Sequence, residues 1–367
     1  MYRLRNALLC APRLLAVVAV ALIVMVAAGA VAAGCFGRSG SASSTVPSLG
    51  AGPGGSTVTT STTAQAAVTE STTTASTAPA PSSTSTGYVP VAPLAFDGAR
   101  AMTHIKALAS AIGVRQAGTK GEDAAKEYVA GYLRDLGYEA KILDVPLPNG
   151  RTSHDLWATK QGALSATILV GAHMDSMPPA PGANDNASGV GVVLELARDL
   201  RAADITPTVV FAVFGSEEVV DGNADHHHYG SRRFVSSMTA EQASELAGMI
   251  SVDMIAFGSQ LVVRTMGGGS RQFADDILAS MKDQGQAASY AKDPGSTGWS
   301  DHEAFEDAGY PVAWIERIDD AAHHTAADTY AHCNPALVQQ TGTLLLHFLD
   351  HLSQPDLDRL KAAVRTG

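Results

Sequence analysis

The sequence predicts an α/β domain with helices on both faces of a largely parallel sheet, and three observations predict it. Short apolar runs rich in Val, Ile and Ala alternate along residues 94–367 with stretches of helical spacing. The runs are apolar nearly throughout, as strands buried on both faces are. The polar residues that interrupt the pattern fall just after the runs, where open α/β sheets gather their functional groups.

The elements follow in order. Residues 98–112 carry Met102, Ile105, Leu108, Ala109 and Ile112 at helical spacing, and residues 121–136 carry Ala125, Tyr128, Val129, Tyr132, Leu133 and Leu136. Gly137 stops the second helix. Strands are predicted over Ala140–Val145, Leu156–Thr159, Ala166–Ala172, Thr208–Phe214, Gly248–Met254, Leu261–Arg264 and Val312–Ile315. Further helices are predicted at 187–201, 229–238, 270–284 and 336–351. Buried strands separated by helices make a layered α/β domain. No internal repeat and no second inserted domain interrupts it.

The rest of the chain is of a different kind. Residues 1–35 begin with Arg3, Arg5 and Arg13, run uncharged and apolar from Leu14 to Ala33, and end in Gly34-Cys35. Twenty apolar residues match a bilayer core in length, and the basic start, apolar middle and small-residue exit are the order of an export signal. Ala32-Ala33-Gly34-Cys35 resembles the lipobox of bacterial lipoproteins, in which the signal is cut and the cysteine, here Cys35, carries lipid. An uncleaved membrane helix is the alternative, and under either the remainder lies outside the cytoplasmic membrane, lipid-anchored or secreted. Residues 36–93 form a linker: from Ser39 to Thr86, 25 of 48 residues are Ser or Thr, too few of the rest being apolar to repay ordering. The three domains are therefore 1–35, a signal or anchor, 36–93, a Ser/Thr-rich disordered spacer, and 94–367, the folded domain.

Charge and cysteine content narrow the function. The net charge is −11, but residues 1–38 contribute +4 and residues 39–87 contribute −1, which leaves −14 on residues 88–367. That excludes a nucleic-acid partner recognised through bulk charge, because phosphate binding needs a basic surface. Of three cysteines, Cys10 and Cys35 lie in the signal, so Cys333 has no partner for an internal disulfide, and the fold rests on its core. No sequence signal reports oligomeric state.

The acids and histidines fall at strand exits. His173 and Asp175 follow the run ATILVGA, Asp185 sits in a loop opening a helix, Glu217-Glu218 follow TVVFAVFGS, Asp253 ends SVD, and His323-His324 follow the last strand. Singly, each has a bland reading: a core histidine, a helix cap, solvated loop acids. Together they suit a zinc hydrolase, since imidazole nitrogen and carboxylate oxygen are ordinary zinc ligands. Two histidines and three carboxylates hold two metals if one carboxylate bridges, and a further carboxylate must take the proton of an activated water. A Glu-Glu doublet supplies a ligand and a base together, and Asp175 is spaced to orient the His173 imidazole.

His173-Met174-Asp175-Ser176, Gly182-Ala183-Asn184-Asp185-Asn186-Ala187-Ser188-Gly189, Glu217-Glu218, Tyr229-Gly230-Ser231, Val252-Asp253-Met254, Ser300-Asp301-His302 and His324-Thr325-Ala326-Ala327-Asp328-Thr329 resemble, in order, the motifs of the di-zinc aminopeptidases of the aminopeptidase Y type. The resemblance spans most of residues 97–350 and implies a three-layer α/β/α sandwich around a mixed, largely parallel sheet, the zinc-exopeptidase fold. It implies two Zn²⁺ per chain, bridged by Asp185, with His173 and Asp253 on one and Glu218 and His324 on the other. It further implies Glu217 as general base, Asp175 as the residue that orients His173, and removal of amino-terminal residues from peptides. Some secreted relatives place a tyrosine directly before the last histidine ligand; His323 stands there in this chain, so His323 and Asp301 are the candidate oxyanion or substrate contacts. His226-His227-His228 reads as a variable surface loop. Other readings are glutaminyl cyclase chemistry on one zinc, a carboxypeptidase or amidase of the same fold, and, outside enzymes, an inactive surface binding module.

Overall fold

The computed structural model describes residues 94–365 apart from Ser296; the signal, the spacer and Cys35 lie outside the described residues. Eight strands form one sheet: β1 (Lys141–Pro146), β2 (Thr152–Lys160), β3 (Thr167–His173), β4 (Thr208–Phe214), β5 (Leu246–Val252), β6 (Gln260–Thr265), β7 (Ser289–Lys292) and β8 (Val312–Ile318). Their order is β1-β2-β4-β3-β5-β8-β6-β7. The central pairings β4/β3, β3/β5 and β5/β8 are parallel, as is β6/β7, while β1/β2, β2/β4 and β6/β8 are antiparallel. The sheet is therefore mixed and largely parallel, as predicted.

Nine α-helices among the described residues cover its two faces: α1 (Gly98–Lys106), α2 (Lys120–Asp135), α3 (Ser188–Leu200), α4 (Tyr229–Ser237), α5 (Ala240–Glu245), α6 (Gln272–Asp283), α7 (His302–Asp307), α8 (Pro335–His351) and α9 (Gln354–Ala362). Neighbouring strand residues point to opposite layers. Ile168 and Val170 of β3 join the larger core with Ile105, Leu133, Val193 and Leu345, whereas Leu169 between them joins Phe234 and Phe305 beneath α4 and α7. Helix α3 is buried almost all round, which explains its largely apolar run; its buried acid, Glu195, is paired with Arg100 and Arg198.

Differences from the predicted elements have local causes. The first helix changes at Ala107 into a wider π-helical turn to Ile112. Strand β7 is a four-residue edge strand, Ser-Tyr-Ala-Lys, and carries no apolar run. Helix α5 buries none of its residues, so it has no apolar stripe to read; it is set by a capping box between Thr239 and Gln242. Helix α9 has the same device in Ser353 and Asp356 and buries only Leu357 and Leu360. Helix α7 is short and acidic, and the packing of Ala304 and Phe305 holds it. Cys333 is buried and free. Among the described residues no helix is long and apolar enough to cross a membrane.

The smaller core supplies a test of this layering. Phe305 is fully buried and lies 6.1 Å, centroid to centroid, from both Phe214 and Phe234. Phe305→Ala is expected to cost about 3–5 kcal/mol, the usual range for emptying a buried aromatic site. A urea midpoint within experimental error of the parent would show that α7 does not anchor this face.

Candidate active site

Every sequence-predicted ligand lies at the carboxyl edge of the parallel strands. His173 ends β3, Glu217 and Glu218 follow β4 by three and four residues, Asp253 follows β5 directly, and His324 lies in the loop after β8. Asp185 sits in the turn between β3 and α3. Parallel strands stop together, so these six side chains meet, His173 buried against Asp185 and the other five lining one cavity. Its volume is about 560 Å³, with Asp185, Glu217, Glu218 and Asp253 on the floor and Met254, Arg264, Trp299 and Trp314 among the walls.

The carboxylate of Asp185 is shared between two groups of donors. Its Oδ1 is 3.3 Å from His173 Nε2, which is itself 3.5 Å from Asp253 Oδ1. Its Oδ2 is 3.2 Å from His324 Nε2, which is 2.9 Å from Glu218 Oε2. One carboxylate thus faces His173 and Asp253 with one oxygen, and His324 and Glu218 with the other. His173 Nε2 and Asp253 Oδ1 are buried and have no hydrogen-bond partner. Burial and the charges of Asp185 and Glu217 push the Glu218 carboxyl up to about 8. Buried, crowded carboxylates with orphaned nitrogen and oxygen atoms are the donor set of a cation site, and the mixture of imidazole and carboxylate suits zinc.

Neighbouring residues hold these donors in place. Asp175 lies 3.4 Å from His173 Nδ1 and accepts from the backbone N–H groups of Glu217 (3.0 Å) and Glu218 (3.1 Å), so one carboxylate orients an imidazole and pins the acid doublet. Asp328 accepts from the N–H of Asn184 (2.7 Å) and Asp185 (3.1 Å). Asn186 donates to Val252 O (2.9 Å), and Asn184 Oδ1 accepts from Ala256 N (2.8 Å), tying the Asp185 turn to the segment that carries Asp253. Ser300 donates to Asp253 Oδ2 at 2.8 Å. At Gly189 a Cβ would lie 2.0 Å from Val252 O, so the close approach of α3 to β5 requires glycine. Ser216, His228, Met254 and His324 all have positive φ without being glycine, a conformation that costs about 1–3 kcal/mol each and clusters where side-chain aim matters.

Two candidates are placed differently. His323 is at the cavity, its Nε2 3.2 Å from Asp185 Oδ2 and its side chain 45% exposed, which leaves it open to a substrate. Asp301 departs from the expectation: it is 0% exposed at the start of α7 and is not among the residues that line the cavity. Burial and the charge of Glu217 raise its carboxyl to about 7.

The histidine run is a second correction. His228 is 3% exposed, and its Nε2 lies 3.0 Å from Glu217 Oε1. Consecutive histidines at a chain reversal look like a surface loop because their partner, Glu303, is 75 residues away. Arg115 was also hidden, as a single cation in a polar turn. It is fully buried beneath the acids and donates to Met174 O (2.6 Å), Pro181 O (2.5 Å), Gly182 O (2.8 Å) and Gly113 O (3.0 Å). Arg115→Ala strips these carbonyls of a buried charged donor and is expected to cost about 3–5 kcal/mol. Arg115→Lys, with one point of charge in place of a planar fork, should recover little of it. Thermal unfolding of both variants is the check, and full recovery by lysine would refute the role given to the fork.

Comparison with known proteins agrees with this geometry. A model described as peptidase family M28 matches residues 156–349, more than half of the chain. Aminopeptidase YwaD of Bacillus subtilis is 29% identical over 188 residues, which is 48% of this chain and 39% of that one. The probable lipoprotein aminopeptidase LpqL of Mycobacterium tuberculosis is 32% identical over 169 residues, 42% of this chain and 32% of that one. The chain therefore spans less than half the length of these relatives. Among solved structures, BSAP, a zinc aminopeptidase from Bacillus subtilis, superimposes with a TM-score of 0.62 at 19% identity, covering 70% of this chain and 95% of that one. A glutaminyl cyclase of Bacteroides thetaiotaomicron gives 0.62 at 20% identity, covering 71% and 99%. At such identities the structural likeness is one of fold, and the sequence match carries the assignment: the chain belongs to peptidase family M28.

Proposed function

We propose that this chain is a zinc-dependent aminopeptidase that hydrolyses amino-terminal residues from peptides outside the cytoplasmic membrane. The observation that carries this reading is the split carboxylate of Asp185, with His173 and Asp253 on one side and Glu218 and His324 on the other. These five residues would hold two zinc ions, which when bound supply Lewis acidity toward a carbonyl oxygen and lower the pKa of a water. Glu217 is the general base in this reading. Its Oε2 lies 3.8 Å from His173 Nε2, at the cavity floor, where it takes the water's proton and passes it to the leaving amine. Asp175 keeps the His173 ring turned toward Asp185 and fixes the backbone from which Glu217 projects. His323 is the candidate donor to the developing oxyanion. Met254, Trp299 and Trp314 offer apolar surface to a substrate side chain, and Arg264 and Glu316 form an ion pair in the same wall at 2.5 Å.

Relatives named as aminopeptidases support the activity. Export and anchoring are part of the proposal: Cys35 would carry lipid, and residues 36–93 would tether residues 94–367 to the membrane. A relative named as a probable lipoprotein supports that arrangement. The glutaminyl cyclase reading is favoured by an equal likeness of fold. The presence of both donor groups around Asp185 favours two metals, and the two readings differ in metal count.

Purified residues 94–367, loaded with zinc, should bind two equivalents and release amino acids from amino-acyl nitroanilides, with activity lost to a chelator and restored by zinc. One equivalent of zinc together with cyclisation of amino-terminal glutamine would replace this reading by the cyclase. Glu217→Gln should keep both metals and lose about 10²–10⁴-fold in kcat, the span of general acid–base catalysis. His324→Ala should instead lower zinc content, measured by elemental analysis.

A further inference from the structure

Glu217 is not free to turn. Its Oε1 lies 3.0 Å from His228 Nε2, and the other ring nitrogen, Nδ1, is hydrogen-bonded to Glu303 Oε2. Arg232, one helical turn after His228 on α4, donates to the same Glu303 oxygen at 3.1 Å. The backbone repeats the link: His228 N donates to Glu217 O at 2.9 Å and Tyr229 N donates to Ser216 O at 2.8 Å. His228 and Glu303 are both buried, at 3% and 4% exposure. Glutamate, imidazole, glutamate and guanidinium thus form a chain of alternating charge from the cavity floor to the surface of α4.

We infer that His228, braced by Glu303 and Arg232, is a positioning residue that locks the Glu217 carboxylate with Oε1 occupied and Oε2 turned toward His173. The inference rests on the reading of Glu217 as general base. A terminal carboxylate torsion is broad, so without a partner on one oxygen the plane of the carboxylate is not fixed and the other oxygen drifts from the reacting position. To bond both carboxylates the imidazole must donate from both nitrogens, and is therefore a cation. Burial alone would lower its pKa, yet Glu217 and Glu303 raise it to about 10. The positive φ of His228, at 55°, is the backbone conformation that brings the ring between the two acids.

The same cluster also has the composition of a metal site, because ligand atoms of His227, His228 and Glu303 lie close together. Two observations favour the brace. His228 Nε2 is already directed at Glu217, and the Arg232 guanidinium sits on Glu303 where a second cation would be repelled.

The test is steady-state kinetics with metal counting on residues 94–367. His228→Leu is expected to lower kcat about 10- to 100-fold, the scale of a misplaced reacting group, while KM stays within about threefold and two zinc ions remain. His228→Gln places an amide N–H where Nε2 stood and should recover most of kcat. His228→Asn places its amide where Nδ1 stood and should not. Unchanged kcat in the leucine variant, or equal recovery by glutamine and asparagine, overturns the inference. Glu303→Gln, which keeps the ring and removes only the outer charge, serves if the leucine variant does not fold, and should lower kcat with metal retained; parent-like kcat counts against the brace. If the parent protein is inert on every substrate, the reading of the site fails, and the brace is judged by ¹⁵N NMR of histidine-labelled protein. Two slowly exchanging ring protons on His228 at pH 7 support it, and a singly protonated ring overturns it. A third metal ion lost on His228→Leu also overturns it.

Discussion

Four carboxylates, Asp185, Glu217, Glu218 and Asp253, are buried in one cavity, and their mutual repulsion is the constraint on which the rest of this structure depends. Like charges at such distances disfavour each other's ionisation, and burial compounds the effect. The chain answers with cations placed on each side of the acids. Arg115 lies beneath them, and His228 lies behind Glu217. A pair of divalent ions at Asp185 would complete the neutralisation, which accounts for part of the acidity of residues 88–367.

Holding such groups together also requires a frame that does not yield. Three features of the fold supply it. Parallel strands β3, β4, β5 and β8 end at one edge, so short segments after each reach the same point. Asp328 accepts from the backbone N–H groups of Asn184 and Asp185, while the Asn184 and Asn186 side chains bond Ala256 N and Val252 O on the segment that carries Asp253. Glycine at 189 lets α3 pass close enough to β5 for Asn186 to bond Val252. The positive-φ residues Ser216, His228, Met254 and His324 sit within this frame, where surrounding bonds outweigh their local cost.

Much of this was legible in the chain because it is encoded locally. The core strands and long helices have apolar patterns that depend only on near neighbours, and they emerge close to their predicted bounds. The candidate ligands were legible because each falls at a strand end or in the connection that follows one. Edge strand β7 and helices α5, α7 and α9 were not, since edge pairing, capping and burial of one or two side chains leave little periodic trace. Asp301 and His228 were misplaced for a related reason. Whether a polar residue faces a cavity or a core depends on what packs over it, and the two exchange places here: the expected contact is buried, and the expected surface histidine is bonded to Glu217.

The sequence by itself determined the α/β class, the acidity of the folded part, the set of candidate metal-binding side chains and the resemblance that suggests their chemistry. Tertiary structure alone decided which oxygen of Asp185 faces which histidine, that Asp175 pins the Glu217-Glu218 backbone, and that Glu303 on α7 reaches His228 at the start of α4. The physical reason is separation along the chain. Residue type and strand periodicity are properties of a few consecutive residues, whereas hydrogen bonds across 42, 75 or 143 positions exist only after the sheet has brought its edges together.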